Sequence, residues 1–321
     1  MGLYRLLLAA MVAISHMGIS VAGYNPGVVA VISFFLLSGY VMTLLVDKHY
    51  RRPGAIGDFY KDRAARLFPQ FLFYMGLTTV LVYALGFESI FLNALTPFKV
   101  LLNFLMLPQG FFMLWADGAL IIPQTWSLGL ELCFYLVFPW IHLYASARQR
   151  NLLAGLSFLV FLAAYFGKLH SDFFGYRLLP GTLYMFLAGS AFAARDAGSR
   201  LYRWAVFGAG VLLFVWAWLH EPLYQTPFNK EVLLGLLIGL GFLAVASGRR
   251  FSDLDEFLGN LSYGIFLNHF LVIWLMNKYL GVKEFHAREA LLCLGISAVF
   301  ALGSYFLIER PALAWRRQFR K

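Results

Sequence analysis

The stretch KVLLNFLMLPQGFFMLWADGALII, residues 99–122, is apolar over a length that matches a bilayer core, and whether it crosses sets the direction of every helix after it. Pro108, Gly110 and the pair Asp117-Gly118 interrupt it, and these are residues that break helices rather than continue them. The rest of the chain frames the question. Of 321 residues, 61% are hydrophobic and 13% charged, with a mean hydropathy of +0.71. A water-soluble domain cannot hide that much apolar surface. Apolar runs recur along the whole length, each close to the ~20 residues that a helix needs to span hydrocarbon. Helices satisfy their own backbone hydrogen bonds in lipid, and the alternating pattern of a membrane β-barrel does not occur. The expected fold is an all-α integral membrane protein, one membrane domain over 1–321. Its spans are expected at 3–22, 27–46, 67–86, 125–145, 152–168, 178–194, 204–220, 231–247, 260–280 and 289–308.

Charge then places 99–122. With ten spans and a cytoplasmic N-terminus, 19 of the 26 Lys and Arg share the cytoplasmic side, Arg195 and Lys321 among them. That is the asymmetry of the positive-inside rule, and an eleventh crossing at 99–122 would destroy it. The segment is therefore read as re-entrant or lying on the surface near the outer leaflet, with both termini cytoplasmic. The net charge of +10 reports topology and not nucleic-acid binding. Cys133 and Cys293 lie in apolar runs, with neither a disulfide framework nor metal-site spacing, and read as buried packing residues. The longest loop, 47–66, has room for a short helix only. The N-terminal run reads as a retained first span and not a cleaved signal, because His16 interrupts it and a second apolar run follows Pro26.

Ionisable groups inside spans cost ~2.5–3.5 kcal/mol each at the helix centre, so their positions carry information. Arg5 and His16 are eleven residues apart, three helical turns on one face, with His16 roughly 16 Å deeper. Glu131 lies about 9 Å below the outer face, level with His16, in a span that enters near Thr125. Ser127, Glu131 and Tyr135 recur at i, i+4 and i+8 as a polar stripe. His269 sits near mid-span in LGNLSYGIFLNHF (258–270), with Ser262 on the same face and Asn268 adjacent. Singly, such residues hydrogen-bond one helix to another. Together at one depth they point to a polar pocket, with His16 a general base whose charge Glu131 supports. In FYKDRAARLFP (59–69), Arg63 and Arg66 at i, i+3 share one face of a short helix. They either anchor the cytoplasmic side or grip phosphate bidentately.

These residues resemble, in order along the full chain, the membrane-bound acyltransferase 3 family of O-acyltransferases. Arg5 and His16, with ten residues between them, match its first-span pattern. FFLLSGY (34–40), RAAR (63–66) before Leu67-Phe68-Pro69, WSLGLELCFYLVFP (126–139), GNLSYGIFLNHFLV (259–272) and IERP (308–311) match later signatures. The resemblance implies a ten-span core in a bacterial cytoplasmic (inner) membrane. It implies a cytoplasmic acyl-CoA donor, usually acetyl-CoA, and an acceptor hydroxyl on a cell-surface or lipid-linked carbohydrate. His16 is then the essential catalytic residue with Glu131 beside it, and Arg5, Arg63 and Arg66 serve the donor. Ser38, Tyr40, Trp126, Ser127, Tyr135, Tyr263, Asn268 and His269 are the candidates for the substrate pocket. No bound cofactor, no metal and no nucleic acid are expected. Many relatives carry a C-terminal extracytoplasmic SGNH domain; without one, the chain is expected to act on its acceptor alone or to pass the acyl group to a separate extracytoplasmic partner. The rival class is a transporter or flippase for small molecules or lipid-linked sugars. The inverted repeats and paired broken helices of such transporters are not found here.

Overall fold

The computed structural model describes residues 1–321 apart from Pro53, Arg195 and Lys321, so the latter two members of the charge count lie outside the described residues. Among the described residues there is no strand, only an isolated bridge between Val21 and Tyr24. The α-helices are α1 (Gly2–His16), α2 (Pro26–His49), α3 (Ala55–Leu85), α4 (Pro97–Phe104), α5 (Met106–Gln109), α6 (Trp126–Tyr144) and α7 (Ala147–Tyr165). They continue with α8 (Leu179–Ser190), α9 (Ala197–Leu219), α10 (Glu221–Gln225), α11 (Asn229–Ala246), α12 (Asp253–Leu280), α13 (Ala287–Ser304) and α14 (Arg310–Arg316). Among the described residues, 7 helical stretches are long and apolar enough to cross a membrane. These are α2, α3, α6 with its entry turn from Pro123, α9, α11, α12 and the run from α13 to Phe319.

Three expectations change. The first apolar run was expected to be helical over 3–22, but α1 ends at His16. Gly18, at φ +79°, turns the chain out of the helix, as a left-handed residue past a C-terminus does. His16 is thus the last residue of its helix. The loop expected over 47–66 is shorter, because α3 begins at Ala55 and runs unbroken through Pro69 for 31 residues. Pro69 has no N–H for the carbonyl of Ala65, yet one lost bond does not end a helix of this length. Finally, 289–308 continues past its expected end. A π-turn, Tyr305–Glu309, joins α13 to α14. Pro311 cannot donate to Leu307 and its ring crowds that carbonyl, so the helix widens by one residue instead of stopping.

The segment 99–122 is no continuous helix. It folds as α4 (8 residues), α5 (4 residues) and a 3₁₀ turn, Phe112–Leu114, pieces too short to span. Asn103, fully buried, holds the fold-back. Its amide donates to the carbonyls of Lys99 (2.9 Å) and Ala119 (2.8 Å), and its Oδ1 accepts from the N–H of Ile121 (3.0 Å).

The chain divides into two compact units. The first comprises Met1–Ile19, Gly57–Leu132 and Phe251–Lys321, and the second Ser20–Ile56 and Cys133–Arg250. In the first, α12 lies against α1, α3 and α13 through contacts that fix direction. Tyr263 Oη donates to Leu67 O (2.9 Å) and Asn268 Nδ2 to Tyr74 Oη (3.2 Å), so α12 and α3 run the same way. Asn268 also donates to Ser297 O (3.0 Å), and Gln70 and Tyr74 both meet Ser304 (2.8 and 2.7 Å), so α13 runs opposite to both. In the second unit α2 runs beside α11 in the same direction. Ser33 Oγ donates to Gly235 O (3.2 Å), and the Gly248 N–H donates to Tyr40 Oη (3.0 Å).

Candidate active site

The site is built on the pairing of α1 with α12. At one end the two backbones touch. A Cβ on Gly2 would sit 1.5 Å from the carbonyl oxygen of Asp255, and one on Gly259 would sit 2.9 Å from Gly2 Cα. Only glycine permits that approach. Asp255 then accepts from the N–H groups of Gly2 (2.6 Å) and Leu3 (3.0 Å), which no carbonyl inside α1 can reach. With the starting ends locked, the parallel helices bring His16 to His269. His16 Nδ1 lies 2.9 Å from His269 Nε2. The rings are nearly parallel (10°) with centroids 5.1 Å apart. That separation is close to the N···N distance plus both ring radii, so the contact lies in the ring planes. The other nitrogen of His269, Nδ1, lies 3.0 Å from Ile265 O.

Apolar groups pack against this pair. Phe270 lies 4.7 Å from the His16 ring between centroids. Ala13 and Met17 flank His16 and join Phe270, Trp274 and Cys293 in one buried cluster. As the last residue of α1, His16 also stands at the negative end of the helix dipole, where an imidazolium is stabilised.

Glu131 comes to this unit on α6, half-buried. The start of α6 is pinned to α12. Gln124, 2% exposed, donates from Nε2 to Phe266 O (2.6 Å) and Leu267 O (3.2 Å), just before His269. Ser127 Oγ donates back to Gln124 O (3.2 Å), and Trp126 packs near Phe112 with ring centroids 6.4 Å apart. At Nδ1 the His16 ring meets His269.

The Arg-x-x-Arg pair occupies a second cluster in the same unit. Arg63, 6% exposed, donates from Nε to Asp62 Oδ2 (2.9 Å), and Asp62 is fully buried. Arg320 reaches back to donate to Asp62 Oδ1 (2.8 Å), and Arg316 Nε lies 3.5 Å from the same oxygen. Arg66 is ion-paired to Glu309, and its guanidinium lies 5.3 Å from the centre of the Tyr263 ring. The motif's two arginines therefore each hold a carboxylate, inside a group of four guanidiniums and two carboxylates. Arg5 is half-buried on α1, one turn past Gly2.

Of the other pocket candidates, Tyr263 and Asn268 bind α12 to α3 as described. Ser38, Tyr40 and Tyr135 belong to the second unit. There Ser38 Oγ donates to Tyr135 Oη (3.4 Å) and Tyr40 ties α2 to the turn at Gly248. Cys293 is buried as expected, but Cys133 is only half-buried. Asp62, Gln124, Glu309, Arg316 and Arg320 escaped the sequence reading. Asp62 and Glu309 lie inside the motifs FYKDRAARLFP and IERP, beside the arginines that mark them.

These arrangements sit within the span of a family match: the acyltransferase 3 family, whose model is described as Acyltransferase domain, covers residues 3–308. The chain belongs to that family. A protein of Aquifex aeolicus (strain VF5), named as uncharacterized, is 32% identical to it over 193 residues, 59% of this chain and 86% of its own length. A Staphylococcus aureus (strain MRSA252) protein bearing the name "Putative O-acetyltransferase" is 23% identical over 351 positions, 96% of this chain. The chain spans 58% of that relative's length. No solved structure matches. As an acyltransferase 3 protein with these helices, the chain is a multi-pass membrane acyltransferase.

Proposed function

We propose that this acyltransferase moves an acyl group, acetyl above all, from cytoplasmic acyl-CoA to a hydroxyl of a cell-surface or lipid-linked carbohydrate. It does so in a bacterial inner membrane that it crosses ten times, with both termini in the cytoplasm. The observation that carries the reading is His16, a half-buried imidazole held at Nδ1 by the buried His269 at the end of α1. An O-acyl transfer needs one proton taken from the acceptor and returned to the leaving group, and an imidazole does both. His16 Nε2 takes the hydroxyl proton as the acceptor oxygen bonds to the thioester carbon. The carbon–sulfur bond breaks, and the CoA thiolate receives the proton from the imidazolium, giving ester and free CoA. Glu131 adds negative charge for the imidazolium. Arg63 and Arg66, with Arg5, hold the CoA phosphates, which compete with Asp62 and Glu309 for the same planar forks. The name of the Staphylococcus relative supports O-acetyl transfer.

Helix direction supports the topology. Because α12 runs parallel to α3, an even number of crossings separates them: α6, α9, α11 and α12 supply four, and α7 with α8 raise that to six. A crossing at 99–122 would make the number odd.

The test is transfer from labelled acetyl-CoA by the purified protein in bilayers, wild type against His16→Ala. Undiminished transfer by the variant sinks the mechanism. Acetyl-CoA is also expected to raise the melting temperature of the wild type, by mass action on the folded state; a transporter of sugars gains nothing from it.

A further inference from the structure

The geometry points to His269 as the positioning residue that fixes the tautomer of His16, leaving the lone pair on His16 Nε2 as the base. The assignment of His16 as a base rests on the function proposed above; the tautomer does not.

The argument starts at Ile265. Its carbonyl oxygen, 3.0 Å from His269 Nδ1, can only accept, so Nδ1 of His269 carries a proton. A carbonyl has two lone pairs, and the helix bond of α12 uses only one of them. His269 is fully buried. It also meets His16 at Nε2, the Phe266 backbone, and the rings of His16, Phe266 and Phe270. Among the described residues no carboxylate touches either nitrogen, and a second proton would make a buried imidazolium with no counter-ion there, which folding avoids. His269 is therefore neutral, and its Nε2 presents a lone pair. His16 Nδ1, 2.9 Å away in the plane of both rings, must then donate. A neutral imidazole has one proton. In the neutral ring, the only form that can act as a base, that proton is on Nδ1 and Nε2 carries none.

This is the tautomer that the transfer requires. An imidazole whose Nε2 already bears hydrogen cannot take a proton there from the acceptor hydroxyl. When His16 accepts that proton, its Nδ1–H stays on His269, so the ring keeps its orientation until Nε2–H is handed to the departing thiolate. His269 takes no proton itself. The arrangement has the logic of a carboxylate behind a catalytic histidine, with a neutral acceptor in place of the charge. It also gives His269 a different part from a substrate-pocket residue: with no exposed surface, it acts through His16.

Two variants of the full chain separate this role from packing. His269→Phe keeps a ring among Phe266 and Phe270 but removes the acceptor. His269→Gln loses the ring but keeps an oxygen near Nε2. Positioning predicts that the Phe variant loses roughly 10²–10⁴-fold in kcat, with KM for acetyl-CoA little changed, and that the Gln variant retains about a tenth or more. A packing role predicts the reverse order, and a Phe variant as active as the Gln variant overturns the proposal. The second readout needs no activity. In bilayer-embedded protein with ¹⁵N-labelled histidine, the His16 signals, identified by their loss in His16→Ala, should report a protonated Nδ1 and a bare Nε2. In His269→Phe that preference should be lost. A wild-type His16 with its proton on Nε2 overturns the proposal whether or not the enzyme turns over. Failure of the wild type to transfer from acetyl-CoA overturns the proposed function alone.

Discussion

Glu309→Gln breaks the ion pair between Arg66 of α3 and the π-turn after α13. The Glu309 side chain is 2% exposed and that of Arg66 16%. Removing one member of a buried ion pair leaves the other uncompensated and costs about 3–5 kcal/mol. Arg66 keeps the Tyr263 ring and some contact with solvent, which puts the expected cost at the lower end, about 3 kcal/mol. In a chain of 321 residues one kcal/mol corresponds to about 1.5 °C, so melting should fall by about 4–5 °C. Cys293, fully buried, gives the assay: a thiol-reactive dye labels it only as the protein unfolds in detergent. Cys133→Ser removes the half-buried thiol from the signal. Arg66→Gln and the double variant complete a cycle. The double variant should be more stable than the sum of the single losses by about 1 kcal/mol or more, since contacting residues couple. Losses that add within about 0.5 kcal/mol would mean that the pair contributes nothing, and the account of how α3 is held would fail.

Two further outcomes follow from the fold. Gly129→Ala places a methyl 2.1 Å from Gly110 N, on backbone that cannot yield; it should cost about 1–3 kcal/mol by overpacking, seen as a lower melting temperature. Gly155→Ala on α7, with nothing within 4 Å, is the control and should be neutral or slightly stabilising. For topology, single cysteines at the exposed positions Glu88, Asp117 and Arg148 are labelled by a membrane-impermeant maleimide, with Cys133 and Cys293 replaced. Glu88→Cys and Asp117→Cys should react from one side and Arg148→Cys from the other; opposite sides for the first two would mean that 99–122 crosses.

By itself the sequence determined what local physics controls. Hydrocarbon demands long apolar helices, and that requirement is written in composition and run length. Arg5 and His16 on one helix, and Arg63 with Arg66 at i, i+3, follow from helical spacing and needed no tertiary information. The breaks in 99–122 were visible as Pro108, Gly110 and Asp117-Gly118, because those residues act on their own neighbours. Helix ends were less legible: α1 stops at His16 because Gly18 takes a left-handed turn inside an apolar run, and hydropathy is blind to that. The partners lay wholly beyond reach. His16 meets His269 across 253 positions, Arg66 meets Glu309 across 243, and Arg320 meets Asp62 across 258. Such pairs depend on which helices lie side by side and in which direction they run. No periodicity encodes that; it is decided where Gly2 and Gly259 let two backbones touch, and where buried polar groups must find one another because no water remains to satisfy them.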